Sequence, residues 1–266
     1  MPYTDPAVFP WLALVLGLVL GSFYNVCIHR AIEGQSLLWP PSHCPHCAVP
    51  LRPWHLVPIL SYLALRGRCH ACGQRISPRY PIVEAASGLL ALLLALRFGA
   101  TWSFAVYMVF GGALLVASFI DFETFILPDV ITLPGIVAAP VAAVLLDMPL
   151  ADSLIGTVAG GGVFWLVLAG FKRVRGIDGM GLGDVKLMML IGGLCGWQAL
   201  PVVTLLAGLS ALLAAAWFLR RREEGQTARE VAIPFGPFLS LGAVVYMLYG
   251  PALVRWWFGV VTGKPV

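Results

Sequence analysis

Charged side chains are scarce in this sequence. Asp, Glu, Lys and Arg make up 11% of its 266 residues and apolar residues 59%, whereas a soluble domain carries about 25% charged residues. Together with a mean hydropathy of +0.88, this excludes a soluble globular fold and is typical of a polytopic membrane protein. The formal charge of +4 does not indicate a nucleic-acid partner, because the basic residues lie between apolar stretches rather than in one patch.

Common catalytic motifs are also absent. There is no HExxH sequence, and the five histidines all lie within residues 29–70, so a Ser/His site would have to take its base from that one segment. No G-x-G-x-x-G follows a strand-like run, which argues against a doubly wound cofactor domain. Aspartates are the leading catalytic candidates that remain.

Long apolar stretches dominate what is present. They predict an all-α polytopic membrane protein with about eight transmembrane helices. The stretches lie near residues 9–28, 82–98, 102–120, 130–146, 153–171, 185–199, 201–219 and 236–258. The first ten residues lack Lys and Arg, and no small-residue cleavage site follows the first stretch, so we expect a retained helix rather than a removable signal peptide.

Lys and Arg distribute unevenly over the two sides that eight spans would define. With both termini outside, fourteen of the 17 basic residues fall on the cytoplasmic side and three on the far side, as the positive-inside rule requires. In this topology Asp121 lies at the cytoplasmic end of the third span, and Asp184 at the cytoplasmic start of the sixth. The two carboxylates are therefore predicted to meet the same membrane face.

Four cysteines stand out in the long loop between the first two spans. They form two CxxC pairs, Cys44 with Cys47 and Cys69 with Cys72. Each pair can place two sulfurs on one edge of a tetrahedron, which predicts a structural tetrathiolate zinc site with no open coordination position. A disulfide is less expected on the reducing cytoplasmic side, and a thioredoxin-like redox motif needs only one CxxC.

Residues around these cysteines are interpreted as supports of a small loop domain. His43, His46 and His70 flank the cysteine pairs, and we expect them to be polar surface residues rather than ligands. Trp39 and Trp54 are expected to pack inside the loop. So short a segment cannot bury much of a core, so zinc must help to stabilise it.

Asp121 and Asp184 stand at the edges of apolar stretches, where an acid costs about 2.5–3.5 kcal/mol to insert. Two acids that face one site can share a water, as in an aspartic protease. Repulsion and desolvation then raise one pKa, so the neutral acid polarises a scissile carbonyl while the ionised acid takes the proton of the water. Gly181 and Gly183 lack a Cβ, which allows unusual φ values and the close approach of a substrate strand or a neighbouring helix.

Other interpretations stay open at this point. Each Asp could simply cap a helix, because Asp accepts N–H bonds at helix starts. Glu123 is the main rival of Asp121 as the working acid, and Asp129 is expected to be a cap. The chain could also be a transporter whose acids relay protons or bind cations, or a zinc-stabilised scaffold without activity.

Four segments resemble the bacterial type IV prepilin peptidases, which are GxGD-type aspartic proteases of the inner membrane that also act as N-methyltransferases. The matching segments are residues 21–30, 44–81, 121–129 and 179–187, in the expected order and topology. On this basis the chain is divided into a first transmembrane helix (1–28), a cytoplasmic zinc-binding loop domain (29–81) and a transmembrane aspartic protease domain (82–266).

The resemblance implies that Asp121 and Asp184 form the catalytic pair. They would cut a short, positively charged leader from type IV prepilins or type II secretion pseudopilins, after a glycine at the cytoplasmic membrane face. The resemblance further implies N-methylation of the new N-terminal residue with S-adenosylmethionine as methyl donor. It places the chain, with its structural zinc, in the lipid of the bacterial inner membrane.

Overall fold

The computed structural model describes residues 7–37, 39, 41–175, 181–221 and 233–262. Helices dominate these ranges, and a short 3-10 turn, Pro53–Leu56, precedes α2. In chain order the helices are α1 (Phe9–Glu33), α2 (Leu60–Ala64), α3 (Arg79–Phe98), α4 (Trp102–Thr124), α5 (Asp129–Leu145), α6 (Leu150–Arg175), α7 (Leu182–Cys195), α8 (Ala199–Arg221) and α9 (Gly236–Thr262).

Five of these helices are long and apolar enough to cross a membrane, namely α1, α3, α4, α6 and α8. Helix α5 (Asp129–Leu145) is apolar but shorter than these five, and Gly236–Gly250 is a shorter apolar segment within the 27-residue helix α9. The all-helical, polytopic character is therefore confirmed, while the number of eight spans stays a prediction. Between α7 and α8 the chain turns at Gly196, which has a φ of 81°.

The chain forms two compact units, and the first, Met1–Val116, is built on α1 packed along α3. Glycines on α1 allow this contact: a Cβ at Gly17 would lie 2.5 Å from the carbonyl oxygen of Ser87, and one at Gly21 would lie 2.7 Å from Cα of Glu84. Small residues let the backbones of membrane helices approach in this way. The segment between α1 and α3 carries α2 and the four cysteines.

The second unit, Ala117–Val266, has α7 at its centre, in contact with α5, α6, α8 and α9. Leu187, Ile191 and Leu194 on α7 are completely buried. Gly156 on α6 and Gly192 on α7 meet backbone to backbone, with no room for a side chain at either position. This glycine pair fixes how closely α7 lies against α6.

We expect Gly192→Ala to lower the free energy of unfolding by about 3 kcal/mol, the upper end of ordinary overpacking. The new methyl group would press on the backbone of Gly156, which cannot move as a flexible side chain can. The measurement is thermal unfolding of the purified protein in detergent.

The matched control for this prediction is Gly162→Ala on α6, where a Cβ would meet nothing within 4 Å. That change should raise stability by about 0.5–1 kcal/mol, because glycine inside a helix is less stable than alanine. Equal unfolding temperatures for Gly192→Ala and the wild type would contradict the close contact of α6 and α7.

Candidate active site and metal centre

Asp121 lies near the end of α4 and is only 4% exposed despite its carboxylate. Its Oδ2 accepts a hydrogen bond of 3.2 Å from the backbone N–H of Gly236, the first residue of α9. The first N–H groups of a helix have no partner within the helix, and the helix dipole is positive at that end. The start of α9 therefore provides the donor that surrounding apolar side chains cannot.

Asp184 lies in the first turn of α7 and is 8% exposed. Gly183, which directly precedes it, and Gly236, whose N–H bonds Asp121, both lie against Leu127, so the two carboxyl groups occupy the same region. The end of α4 and the starts of α7 and α9 therefore converge on one buried site within the second unit. Two acids from distant parts of the sequence are neighbours in this site.

Leu127 is a further residue of this site, and the sequence did not single it out. It is 7% exposed and follows α4. A Cβ at Gly183 would lie 2.9 Å from Cβ of Leu127, and a Cβ at Gly236 would lie 3.1 Å from both of its methyl carbons. The Leu127 side chain therefore fills space that two glycines leave open beside the acids.

Gly236 was also missed at the level of sequence. A Cβ at this position would lie 2.6 Å from Oδ2 of Asp121, so only glycine fits without a shift. The signal was present, because Gly236 stands between Phe235 and Pro237 at the start of an apolar run, a pattern typical of a helix start. Nothing in the sequence indicated which carboxylate this helix start would meet.

The structure does not support helix capping as the only task of the two acids. Asp184 lies inside the first turn of α7, where its carboxyl group accepts a hydrogen bond from the backbone N–H of the N-cap residue Gly181, so it helps to cap the helix but is also buried beside the site of Asp121. Asp121 lies near the carboxyl end of its helix rather than at its start. Glu123, the rival acid, is exposed, in contrast to the buried Asp121.

Asp129 does not have the predicted role of a cap. The N-cap position of α5 is Pro128, and Asp129 lies in the first turn without capping it. Its Oδ1 instead accepts a hydrogen bond of 2.6 Å from Nζ of Lys186. This ion pair joins the start of α5 to the first turn of α7, two residues beyond Asp184, on the partly exposed side of the site.

The two glycines before Asp184 differ in role. Gly181 has φ −82° and ψ 150°, an extended conformation open to any residue, so the expectation of an unusual φ is wrong there. Gly183 lies within α7, and its missing side chain makes room for Leu127 rather than for an unusual backbone. Gly179 and Met180, which complete the motif, lie outside the described residues.

Each CxxC pair in the first unit lies in a short turn of the same construction. Isolated β-bridges close the two turns, His43 with Pro50 and Arg68 with Arg75. In one turn the N–H of Ala48 donates to the carbonyl of Cys44 at 2.9 Å, and in the other the N–H of Gly73 donates to the carbonyl of Cys69 at 3.0 Å. Ala48 and Gly73 both have positive φ, 55° and 69°. The two turns are therefore repeats of one knuckle, and together their cysteines could hold a metal ion.

The four sulfurs are positioned for one tetrahedral metal ion. All of them lie within 4.8 Å of one another, and Sγ of Cys44 and Sγ of Cys72 are 3.9 Å apart. Bonds of about 2.3 Å from zinc to sulfur in a tetrahedron place the sulfurs about 3.8 Å apart. The backbone N–H groups of Cys72 and Ala71 lower the pKa of the Cys69 thiol to about 6, which favours the thiolate that binds metal.

Other residues of the loop lie outside this cluster. All six cysteines of the chain are free, so the structure gives no support to a disulfide. The ring of His70 packs on that of His55, with 4.2 Å between ring centroids. Trp39 and Trp54 are 74% and 59% exposed, so the expectation that they pack inside the loop is wrong.

Comparisons with known proteins point in one direction. The family model of the bacterial peptidase A24 N-terminal domain matches residues 15–98, and that of the type IV leader peptidase family matches residues 108–216. The prepilin leader peptidase/N-methyltransferase of Pseudomonas putida is 39% identical over 92% of each chain. The enzyme of that name from Stutzerimonas stutzeri is 38% identical over 93% of each chain, and no solved structure matches.

The knuckle geometry predicts opposite effects of two substitutions on metal retention. Ala48→Gly should strengthen the metal-bound loop and Gly73→Ala should weaken it, each by about 1 kcal/mol, because a left-handed φ strains any residue with a Cβ. Elemental analysis should first find one zinc ion per chain. The protein is then titrated with a chelator, and a thiol reagent counts the cysteines that are released. The chelator concentration at the midpoint is compared between the variants.

Ala71→Gly is the matched control, because this residue lies between two ligands without a positive φ. It should weaken metal retention by about 0.5–1 kcal/mol, because glycine gives the unfolded loop more freedom, so its chelator midpoint should move in the direction opposite to that of Ala48→Gly. A wild-type midpoint in both Ala48→Gly and Gly73→Ala would contradict the knuckle, and less than one metal ion per chain with intact thiols would contradict the tetrathiolate site.

Proposed function

Because the chain belongs to the type IV leader peptidase family, we propose that it cleaves the leader peptide from type IV prepilins or pseudopilins and then N-methylates the new N-terminal residue. Cleavage uses Asp121 and Asp184 in an aspartic endopeptidase mechanism. The observation that carries this proposal is the convergence of two buried carboxyl groups on one site with a backbone donor beside them.

The proposed mechanism divides the roles between the two acids, each of which accepts a backbone N–H, Asp121 from Gly236 and Asp184 from Gly181. Two carboxyl groups that share a site of low dielectric hold one proton between them, because both cannot remain charged. The N–H of Gly236 donates directly to Asp121 and favours a negative charge there. In the proposed mechanism Asp121 accepts the proton of the attacking water, while Asp184 carries the proton that polarises the scissile carbonyl.

The wider arrangement follows from the apolar helices and the basic loops. The protein is a multi-pass inner-membrane enzyme, with eight spans and both termini periplasmic in this proposal. Membrane lipid surrounds the spans, and the prepilin leader stays on the cytoplasmic side, where the segments that carry both acids also lie. The division into residues 1–28, 29–81 and 82–266 belongs to the same proposal.

Zinc is the metal that the four cysteines are proposed to hold. Four thiolates at tetrahedral spacing suit Zn²⁺ and leave no position for a substrate. The ion would therefore fix the two knuckles of the loop and take no part in bond cleavage. S-adenosylmethionine would supply an electrophilic methyl group for the second reaction.

Replacement of either carboxyl group by an amide should abolish cleavage. In Asp121→Asn and Asp184→Asn the amide keeps the shape of the side chain but can neither take nor give the proton, so we expect a loss of at least about 10²- to 10⁴-fold. The measurement is intact-mass analysis of a prepilin incubated with the purified enzyme.

Glu123→Gln is the matched control, because this acid is close in sequence to Asp121 but exposed. It should cleave as the wild type does. Normal processing by both Asp→Asn variants would overturn the aspartic mechanism, and unfolding temperatures equal to that of the wild type show that any loss is not a folding defect.

Gly236→Ala tests the backbone donor separately from the acids. Its methyl group would press on Oδ2 of Asp121 and on Leu127, and misplacement of a reacting group by 1 Å can cost about 10²-fold in rate. We expect cleavage to slow by up to that factor while the leader is still removed at the same bond. Gly208→Ala, where a Cβ meets nothing within 4 Å, should have no effect, and an unchanged rate in Gly236→Ala would contradict the contact.

A further inference from the structure

The first unit contains a buried acid that the cleavage mechanism does not use. Glu84 on α3 is 7% exposed, whereas Glu33, the other acid among the described residues of this unit, is exposed. Oε2 of Glu84 accepts a hydrogen bond of 2.7 Å from the backbone N–H of Ile59, and the hydroxyl of Ser22 on α1 bonds to the same side chain. An ionisable group within an apolar helix pair is costly and is by default a candidate functional group.

An unmatched acceptor lies in the same seam between α1 and α3. Asn25 is 1% exposed, and its Nδ2 donates to the carbonyls of Gly21 and Tyr80 at 3.3 and 3.0 Å. These two bonds fix the orientation of the amide and leave Oδ1 buried with no hydrogen-bond partner. Buried acceptors without a partner are rare and destabilising, so the position suits a ligand that brings a donor.

Asn25 and Glu84 share one helix–helix seam. Tyr80, whose carbonyl contacts Asn25, lies one turn before Glu84 on the same face of α3. Gly21, whose carbonyl also contacts Asn25, packs directly against Cα of Glu84. The carboxylate and the free amide oxygen therefore lie about one helical turn apart along the same seam.

The loop segment over this cluster is strained. Ile59 has a φ of 59°, which a β-branched residue adopts only when its surroundings force it. Its N–H is the group that Glu84 holds, and the hydroxyl oxygen of Ser22 lies 3.5 Å from the carbonyl oxygen of Leu56, so Leu56 and Glu84 share the one hydrogen of this hydroxyl. Strained residues of this kind cluster at ligand clamps and switch regions.

We propose that Ser22, Asn25 and Glu84 form the site that binds the free N-terminal amine of the cleaved pilin for methylation, with Glu84 as proton acceptor. The inference rests on the methylation half of the proposed function. An ammonium group brings three N–H donors and a positive charge, which match a carboxylate, an unpartnered amide oxygen and a hydroxyl.

The chemistry balances with the sulfonium methyl donor that the family's activity supplies. Glu84 takes one proton from the ammonium group and leaves a neutral amine. The lone pair of the amine forms the N–C bond to the methyl group as the C–S bond breaks, and the electrons of that bond stay on sulfur. The product is a methylated ammonium with its two remaining protons, and the proton on Glu84 passes to solvent.

The simpler alternative is that Glu84 only holds Ile59 in place. Glu84→Gln separates the two, because glutamine keeps the length of the side chain and an oxygen that can accept the Ile59 N–H but loses the charge and the basicity. Asn25→Leu is the second variant. It replaces the amide, and with it the free acceptor oxygen, by an apolar side chain of similar size. Glu33→Gln is the matched control in the same unit.

The experiment follows cleavage and methyl incorporation on one prepilin by intact mass, with metal content and unfolding temperature as checks of folding. Glu84→Gln should reduce methylation at least about 100-fold more than it reduces cleavage, and Asn25→Leu should reduce it in the same selective way. A second measurement, made without the methyl donor, determines the binding affinity of two peptides. One begins with the free N-terminus of the mature pilin, and the other is the same peptide with an acetylated N-terminus. The wild type and Glu33→Gln should prefer the free amine, and Glu84→Gln should not.

Each outcome separates this site from the proposed function as a whole. Wild-type methylation by Glu84→Gln, or an unchanged preference for the free amine, would overturn the site and leave the enzyme's two activities intact. Loss of the metal and of both activities together would assign Glu84 to the support of the loop instead. A wild-type enzyme that cleaves but never methylates would overturn the methylation half of the proposed function and this site with it.

Discussion

A carboxylate buried between apolar helices needs a hydrogen-bond donor, and here a backbone N–H supplies it in both units. Asp121 is bonded by Gly236 at the start of α9, and Glu84 by Ile59 at the start of α2. A hydrogen bond to a charged group contributes about 1.5–3 kcal/mol. This largely offsets the cost of placing an acid in a membrane helix, which is about 2.5–3.5 kcal/mol. Helix starts and loops must therefore come to the acids, which is why both sites lie at helix ends.

Two helix backbones can approach closely only where small residues line the contact. A short loop without a hydrophobic core needs another source of stability. Glycines 183 and 236 leave space beside the aspartates, and Gly21 does so beside Glu84. The loop between α1 and α3 instead exposes its tryptophans and relies on its two cysteine knuckles. A single tetrahedral metal ion can hold such a segment, because its binding energy adds directly to the stability of the folded loop.

Sequence reasoning worked where a local pattern has a local cause. The apolar stretches gave the helices, and the CxxC spacing gave the sulfur cluster, because both depend on neighbouring residues. It did not identify Gly236 or Leu127, whose roles depend on which helix ends meet in space. Asp129 was misinterpreted for the same reason: its partner, Lys186, is distant in sequence. Trp39 and Trp54 misled because an aromatic residue in a loop need not be buried.

Hydrolysis and methyl transfer place different demands on an acid, and the two sites proposed above would meet them differently. Peptide hydrolysis needs a proton taken from water and a proton offered to the carbonyl at the same time, so it requires a pair such as Asp121 and Asp184. Methyl transfer to an amine only removes a proton, so one carboxylate with a polar neighbour suffices. Glu84 is bonded by Ser22 and Ile59, and no second acid bonds to it among the described residues. It could therefore not perform the hydrolysis. A chain with both arrangements can therefore keep its two reactions apart by the number of acids in each site.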